Sequence, residues 1–400
     1  MELHDDAFWQ GQFSRPAQRM GSAMTRELWK VAGRPGIISL AGGTPSPDLL
    51  PVELLRQVSD KVLREQGQRA LQYSLTEGLP ELREWIASRF AGATPDNVQI
   101  TTGSQQALGL VAQTLLNPGD KVIVESPSYL GAFQAFNVSM PEYLAAPMDG
   151  DGLLVDELEP LLAQRPKFIY VLPNFQNPSG ATLSLERRQK LVEMARAYRV
   201  PILEDDAYHY LSFDGVTLPT LYDLDHRLGG GNVIHTSTFS KTVAPGLRVA
   251  WVVGPKVAVG KICQMKQGSD SMTPTFSQLL VREVAPLIEA EFVPRIRAKY
   301  KLHCEVMLEA LRQHLPLARY SVPKGGMFFW LELPRGINTL ELLDAAVAQG
   351  TVFVPGSTFY PDGSGHHTLR LSFSNASPDN IRLGVERLGK AVESMAVTRP

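Results

Sequence analysis

The chain has 400 residues, of which 44% are apolar and 20% charged, as is ordinary for a folded globular protein. Its net charge of −2 argues against nucleic acid or an acidic membrane surface as a partner. The two cysteines, Cys263 and Cys304, lack metal-ligand spacing and cannot build a disulfide framework, so we expect a reducing compartment. The chain starts with acids where a signal peptide is basic, and no apolar run reaches about 18 residues, so we expect a cytoplasmic protein.

The first 36 residues are polar with scattered aromatic side chains. Apolar spacing over residues 24–31 predicts a short helix that carries Arg26. A short apolar run then ends at Gly42 and Gly43, which allow a close backbone approach, although an ordinary turn is an equally good interpretation. Helical periodicity follows at 52–66 and 80–90.

A strand predicted over residues 96–103 enters a tight turn at Gly103. Ser104 and Gln105 then begin a helix whose apolar residues recur at helical spacing. The free N–H groups and the dipole of such a helix start favour an anion. Taken alone, however, Ser104 is more simply a helix cap.

Strand and helix signals alternate between residues 121 and 254. The predicted strands are 121–125, 168–173, 201–205, 232–236 and 249–254, and the predicted helices are 130–137, 155–164 and 185–198. This alternation predicts an α/β fold with a mostly parallel sheet and helices on both faces. The connection between residues 236 and 249 is short for a parallel crossover, so we expect the last strand to be antiparallel.

The pattern changes after Phe276. A long helix is predicted at 295–313, and runs of strand character follow at 320–322, 325–333, 352–356 and 368–373, with a helix at 340–349. This α+β pattern suits a second, smaller domain, as the length of the chain also suggests.

One lysine, Lys241, lies between two runs of strand character, with hydroxyl groups at Thr238 and Ser240 and an arginine at Arg248. A lysine becomes a useful nucleophile when burial or a nearby cation lowers its pKa. Hydroxyl groups and an arginine suit a bound phosphate. Pyridoxal 5′-phosphate (PLP) needs both a lysine amine and a phosphate site, and it is therefore the cofactor that this segment predicts.

Polar and aromatic side chains follow other predicted strands. Asp205 ends an apolar strand, at the edge where open α/β sheets bind their ligands. An aspartate there could keep the ring nitrogen of PLP protonated, and Tyr208 could aim its phenol at the ring oxygen. In isolation, this acid is more simply a solvated or capping carboxylate. Tyr129, beyond another strand, is either an aromatic that stacks on the ring or a core tyrosine.

Two further side chains suit a carboxylate ligand. Asn177 lies in Asn-Pro-Ser-Gly, which alone indicates only a turn, but its amide could bond a ring oxygen and a substrate carboxylate. Arg370 lies in an otherwise apolar strand, so it is either at a wet edge or bound to a carboxylate. His366 and His367 have no third ligand nearby, and we predict a solvated loop there and no metal.

Together these residues resemble the class I and II aminotransferases of fold type I, over essentially the whole chain. The strongest motifs are Asn177-Pro178-Ser179-Gly180, Asp205 to Tyr208, Ser240-Lys241 with Arg248, and Arg370. The motifs around Gly43, Tyr73, Ser104 and Gly325-Gly326 resemble the branch that holds 2-aminoadipate, kynurenine and aromatic aminotransferases. The resemblance implies an N-terminal arm (1–45) that joins the small domain, a large PLP-binding domain (46–290) with a seven-stranded sheet, and a small α+β domain (291–400).

Residue by residue, the resemblance implies that Lys241 anchors the cofactor covalently and then acts as general acid and base. The residues implied to hold the phosphate are Ser104, Gln105, Thr238, Ser240 and Arg248, with Tyr73 reaching in from the partner subunit of a homodimer. Those implied at the ring are Tyr129 on its face, Asp205 at its nitrogen, and Asn177 and Tyr208 at its oxygen. Arg370 would bind the substrate α-carboxylate, with Asn177 and Gly43 nearby. Thr238 stands where serine is frequent, and Ala207 where proline is frequent, but neither change removes a needed group.

The implied reaction is a ping-pong transfer from an L-amino acid (2-aminoadipate, aromatic, or branched or long-chain) to a 2-oxo acid, for which we expect 2-oxoglutarate. Lyases and decarboxylases with the same lysine remain an alternative, because the motifs select the cofactor and not the bond that breaks. An aminotransferase-like regulatory domain is a non-enzymatic alternative, which the missing basic footprint disfavours. A nicotinamide dehydrogenase is disfavoured because no Gly-x-Gly-x-x-Gly follows a strand. Arg26 matches a position that can meet a side-chain carboxylate, and a solvated helix arginine is an equally good interpretation.

Overall fold

The fold is that of a computed structural model in which residues 6–21 and 24–397 are described. Its α-helices are α1 (Asp6–Gln12), α2 (Arg15–Arg19), α3 (Met24–Ala32), α4 (Val52–Ala70), α5 (Pro80–Ala87), α6 (Ser104–Leu115), α7 (Leu130–Asn137), α8 (Glu159–Leu162), α9 (Leu185–Ala197), α10 (Leu221–Arg227), α11 (Lys256–Gln267), α12 (Thr275–Leu287), α13 (Val293–His314), α14 (Thr339–Gln349) and α15 (Pro378–Val397). Its strands are β1 (Ile38–Ser39), β2 (Val98–Thr101), β3 (Lys121–Ser126), β4 (Glu142–Asp149), β5 (Gly152–Leu153), β6 (Phe168–Val171), β7 (Ile202–Asp205), β8 (Val233–Thr238), β9 (Ala250–Val253), β10 (Phe328–Glu332), β11 (Thr351–Val352), β12 (Val354–Pro355) and β13 (Thr368–Ser372). Within these ranges, no helix is both long enough and apolar enough to cross a membrane.

The large sheet has the strand order β2-β9-β8-β7-β6-β3-β4-β5. Strands β8, β7, β6, β3 and β4 run parallel, whereas β9 is antiparallel to both of its neighbours, which confirms the direction predicted from the short connection before it. β5 is a two-residue addition that pairs antiparallel with the end of β4, beside seven longer strands. Every residue of β6, β7 and β8 is buried. β6 is accordingly an apolar run, whereas β7 and β8 begin with apolar residues and end with polar ones at the edge where ligands bind.

Helices cover both faces of this sheet. Val122 and Val124 of β3 belong to the apolar cluster that includes residues of α5, α6 and α7. Ile123, which lies between them, belongs to a second cluster with residues of α9 and α10. Successive side chains of a strand point to opposite faces, so each face of β3 packs against its own helical layer.

Several elements differ from the sequence-based predictions. Helices α1, α2, α10, α11 and α12 were not predicted, and the run predicted at 320–322 does not form a strand. β4 was not predicted, because Ala145, Ala146 and Pro147 at its centre are residue types that strands disfavour. The helix predicted over 155–164 is wrong as a single element, since the chain forms a 3₁₀ turn (Val155–Glu157) followed by the one-turn α8. Pro160 has no N–H to donate and occupies the first turn of a helix, so a new helix begins there.

A smaller sheet forms after α12. β10, β13 and β12 pair antiparallel in that order, and α13, α14 and α15 pack beside them. β1, from the N-terminal segment, pairs parallel with β11. This contact is consistent with an N-terminal arm that joins the small domain, although the boundaries 1–45, 46–290 and 291–400 stay a prediction, and residues 1–5 and 22–23 of that arm lie outside the described residues.

Candidate active site

The carboxyl ends of β7 and β8 open into a cavity of about 460 Å³. Phe328 of β10 and Arg370 of β13 line it from the smaller sheet. Of the residues predicted for the site, the following line this cavity: Gly43, Ser104, Gln105, Tyr129, Asn177, Asp205, Tyr208, Thr238, Ser240, Lys241, Arg248 and Arg370. The edge at which the strands end is where open α/β sheets place their ligand sites, so residues far apart in the sequence meet there.

Lys241 ends a single 3₁₀ turn that follows β8, and its Nζ donates a hydrogen bond to the carbonyl oxygen of Gly43 at 2.9 Å. Burial lowers the pKa of this amine to about 8. The positive charges of Arg370 and Arg248 act in the same direction, and the Asp205 carboxylate opposes them. Part of the amine is therefore unprotonated near neutral pH, as a nucleophile requires.

Asp205 is the last residue of β7, and its side chain is buried at the edge of the cavity. Its Oδ2 accepts a hydrogen bond from the Tyr170 hydroxyl at 2.9 Å, whereas Oδ1 has no partner among the residues that the structure describes. Burial raises the pKa of this carboxyl to about 6, and the bond from Tyr170 partly offsets that effect. A buried acceptor without a partner is uncommon in native proteins, so Oδ1 marks the place where a donor of a bound molecule is expected.

Glu204 and Asp206, which flank that aspartate in the sequence, do not line the cavity. Glu204 Oε2 lies 2.9 Å from His235 Nδ1, while Asp206 accepts from Asn174 Nδ2 at 2.8 Å and its Oδ2 lies 3.0 Å from His209 Nδ1. Ligand atoms of Glu204, Asp206 and His235 are close enough together for a cation, but these hydrogen bonds already engage them. We therefore interpret the group as a buried polar network below the site.

A candidate anion site lies at the start of α6. Gly103 precedes this helix with a φ of 90°, and a Cβ atom there would lie 2.0 Å from Nη2 of Arg248. Only glycine therefore lets the arginine lie so close to the helix start. The hydroxyl groups of Ser104, Thr238 and Ser240 belong to residues that line the same cavity. A guanidinium, hydroxyl groups and free N–H groups at a helix start are the donors that a phosphate needs.

Aromatic and amide groups complete the site. Tyr129 packs so closely on Gly131 that a Cβ atom there would lie 2.4 Å from its Cζ, and Gln105 Nε2 donates to the Gly131 carbonyl at 2.7 Å. Burial raises the pKa of Tyr129 to about 12, so its phenol stays neutral. Burial raises the pKa of Tyr208 as well, and the nearby amide of Asn177 partly offsets this effect. The cavity thus offers an aromatic face and a phenol–amide pair to a planar, polar ring.

Arg370 is almost fully buried, and its guanidinium carbon lies 4.2 Å from the ring centroid of Phe328 and 5.2 Å from that of Phe359. Nη1 donates to Asn177 Oδ1 and Nη2 to the Ala41 carbonyl, both at 2.7 Å, while Nε has no partner in the described part of the chain. Burial lowers its pKa to about 10, which still leaves it charged at neutral pH. A buried, charged and incompletely satisfied guanidinium suits a ligand carboxylate.

The sequence profile of the family described as Aminotransferase class I and II matches residues 35–388. The chain belongs to this family. It is 42% identical over 389 residues to the 2-aminoadipate transaminase of Thermus thermophilus, which covers 97% of this chain and 98% of that protein. It is 37% identical over 394 residues to aromatic-amino-acid aminotransferase 1 of Thermococcus litoralis, and the alignment covers 95% of this chain and 94% of that protein. The crystal structure of α-aminoadipate aminotransferase from Thermus thermophilus, complexed with N-(5′-phosphopyridoxyl)-L-leucine, matches with a TM-score of 0.93 and 41% identity, covering 97% of this chain and 99% of that one.

The chain is therefore a PLP-dependent aminotransferase of fold type I. The residues present fit this cofactor in three respects. A buried amine with a lowered pKa is available at Lys241, the unpartnered Oδ1 of Asp205 suits the N–H of a protonated ring nitrogen, and the donors around Arg248 suit a phosphate.

Two further residues were predicted for the site, and the first of them does not line the cavity. Tyr73 follows α4 and is 83% exposed, and Arg26 lies on α3 with its side chain outside the described residues. Two functional candidates were missed. Phe328 directly follows a Gly-Gly-Met run at the start of a strand, which was a usable signal, whereas Tyr170 occurs inside an apolar strand and carries no sequence signal.

Proposed function

We propose that this aminotransferase takes the amino group of an L-amino acid with a 2-aminoadipate, aromatic, or branched or long aliphatic side chain and transfers it to 2-oxoglutarate. The position of Lys241 carries the proposal. Its amine lies in one cavity with the unpartnered Asp205 oxygen and the Arg370 guanidinium, and each of these two charges shifts its pKa. The lysine is therefore within electrostatic reach of both the cofactor-binding acid and the carboxylate-binding arginine.

We assign the cofactor to the side of the cavity formed by β7, β8 and the start of α6. When bound, PLP is an electron sink that stabilises negative charge on the substrate carbon beside the transferred nitrogen. Asp205 Oδ1 would accept the N–H of the ring nitrogen, Tyr129 would stack on the ring, and Asn177 and Tyr208 would donate to its oxygen. The residues that would hold the phosphate are Ser104, Gln105, Thr238, Ser240 and Arg248.

Lys241 has two tasks in this proposal. Its unprotonated amine would anchor the cofactor through the aldehyde group. Once the substrate amine is bound instead, the free Nζ would be the base that takes the proton from the substrate α-carbon and the acid that gives it back. A pKa of about 8 suits both tasks, because the free and the protonated amine then coexist near neutral pH.

Arg370 is the group that we propose to bind the α-carboxylate of the substrate, with Asn177 and the Gly43 backbone beside it. Amino donors and 2-oxo acceptors both carry this carboxylate next to the reacting carbon. One guanidinium therefore binds both, and the two substrates must occupy the cavity in turn. This shared subsite is the physical reason for a ping-pong order.

The choice of donor depends on residues that face the substrate side chain, and we propose Arg26 as one of them. Leu28, two residues further along α3, is buried in one cluster with Ala41 and Leu130. Ala41 and Leu130 also line the cavity, so α3 lies next to it. An arginine at position 26 would favour an acidic side chain, such as that of 2-aminoadipate or glutamate.

We further propose a homodimer that works in the cytoplasm. Tyr73 is 83% exposed and lies between Leu71 and Leu75, which are 78% and 57% exposed. A partner subunit that covers this apolar segment would bring its own Tyr73 to the phosphate of the neighbouring site. Both cysteines are free and buried, which is consistent with a reducing compartment.

Absorbance spectroscopy of the holoenzyme tests the proposal. A donor amino acid should remove the visible absorbance of the bound cofactor, and 2-oxoglutarate should restore it; with Lys241→Ala neither change should occur. Arg26→Ala should lower kcat/KM for glutamate and 2-aminoadipate about tenfold or more, and for leucine and phenylalanine less than about threefold, as expected for the loss of one hydrogen bond between charged groups. Equal losses of kcat/KM for all four donors would show that Arg26 does not select the side chain. Release of carbon dioxide from a donor would indicate a decarboxylase in place of an aminotransferase.

A further inference from the structure

We propose that Tyr170 is a positioning residue for the cofactor nitrogen: its hydroxyl holds the Asp205 carboxylate ionised, with Oδ1 directed at the cavity. This inference rests on the proposed placement of Asp205 at the ring nitrogen. Tyr170 does not itself line the cavity, and it acts only through the carboxylate.

The geometry leaves the Asp205 carboxylate little freedom. β6 and β7 are adjacent and parallel, and Tyr170 stands opposite Leu203, two residues before Asp205. The Tyr170 side chain is fully buried, and its ring meets that of Phe136 edge to face with the centroids 5.2 Å apart. A ring packed in this way holds its hydroxyl in place, 2.9 Å from Oδ2. Oδ1 is thereby left as the oxygen that a bound ring can reach.

The same bond acts on the charge of the carboxylate. A hydroxyl that donates to a carboxylate favours its ionised form, whereas burial favours the neutral form, which could not hold a proton on the ring nitrogen. The other titratable groups that act on this carboxylate, or on which it acts, are Glu125, Tyr129, Asp206, Tyr208, His235 and Lys241. Of these groups, His235 and Lys241 favour the charged carboxylate, and Asp206 opposes it. Tyr170 is the direct hydrogen-bond donor to it among the described residues.

Tyr170→Phe tests this role with little change in packing, because it removes the hydroxyl and keeps the ring. We expect the affinity of the apoenzyme for PLP to fall roughly tenfold or more, as for the loss of a hydrogen bond to a charged group. The decisive comparison uses the 1-deaza analogue of PLP, in which carbon replaces the ring nitrogen. Its affinity should change less than about threefold, because it offers no N–H to Asp205.

Equilibrium titration of the full-length apoenzyme with each of the two cofactors gives both affinities without any measurement of turnover. Tyr143→Phe is the matched control. Tyr143 lies on β4, which is separated from β7 by β3 and β6, and its phenol donates to Asn137 Oδ1 at 3.0 Å. Neither affinity should change in this control. Equal losses for PLP and its analogue in Tyr170→Phe, or no loss for either, would overturn the proposal.

Asp205→Asn separates this proposal from the one on which it rests. If that variant binds PLP and the analogue with equally reduced affinity, the placement of Asp205 at the nitrogen is wrong. If Asp205→Asn affects only PLP while Tyr170→Phe affects neither, the role of Tyr170 alone fails. In the Asp205→Asn background, Tyr170→Phe should have little further effect on PLP, because both changes act on one contact. If the losses of PLP affinity caused by the two changes were additive in the double variant, the proposal would also be overturned. Circular dichroism of each apoprotein establishes that it is folded.

Discussion

Replacement of Arg370 by lysine keeps the buried positive charge and removes the planar fork. Arginine has five N–H donors, of which Asn177 Oδ1 and the Ala41 carbonyl use two, so three remain for a substrate. Lysine has three donors, and one remains once the same two acceptors are satisfied. The substrate carboxylate therefore loses a second charge-assisted hydrogen bond, which is worth about 1.5–3 kcal/mol. We expect KM to rise about 10- to 150-fold.

The rise in KM should be the same for amino donors and for 2-oxo acceptors, since both present their α-carboxylate to Arg370. Half-reactions followed by the absorbance of the bound cofactor give the two values separately. An amine that lacks the carboxylate should react equally well with Arg370→Lys and wild type, and Arg295→Lys, at an exposed arginine of α13, should leave every substrate unaffected. The assignment of Arg370 would be refuted if donor and acceptor responded differently, or if the amine lost as much as the acids.

Lys241→Met should make the apoenzyme more stable than wild type at pH 7, and urea unfolding should show the advantage shrinking as the pH rises from 8 towards 10.5. The pKa of Lys241 is about 8 in the folded state and 10.5 in the unfolded state, so unfolded wild type binds more protons than folded wild type between these pH values, and wild type gains stability as the pH rises. A difference in unfolding free energy between the variant and wild type that stays constant over this range would contradict the prediction. Gly103→Ala should weaken PLP binding about tenfold or more, because its Cβ atom would displace Arg248. Gly109→Ala, inside α6 with open space around the added atom, should leave PLP binding unchanged. If the two variants bound PLP with the same affinity, Gly103 would have no role in placing Arg248.

The mostly parallel sheet and the antiparallel direction of β9 were predictable, because strands alternate with helices along the chain and the connection before β9 is short. The order of the strands in the sheet was not predicted. β4 was not predicted because Ala145, Ala146 and Pro147 are residue types that strands disfavour. The residues that meet at the cavity were predictable one by one from strand ends and motifs. Their meeting across two sheets followed only from the resemblance, since Asn177 follows β6 of the large sheet and Arg370, which donates to it, lies on β13 of the small one. Nor could the sequence indicate the pKa of Lys241, which depends on burial and on two arginines brought near it by the fold.

Three consecutive acids, Glu204 to Asp206, show most directly how the fold assigns chemistry to the sequence. As isolated carboxylates they are equivalent, and the motif alone favours the middle one only by resemblance. In a strand, however, the side chain of Asp205 points to the opposite side from those of its two neighbours. Its neighbours meet His235, His209 and a backbone amide, so their charges are satisfied. Asp205 meets one phenol and the cavity, so one of its oxygens has no partner among the described residues, and this is the oxygen that we propose binds the cofactor.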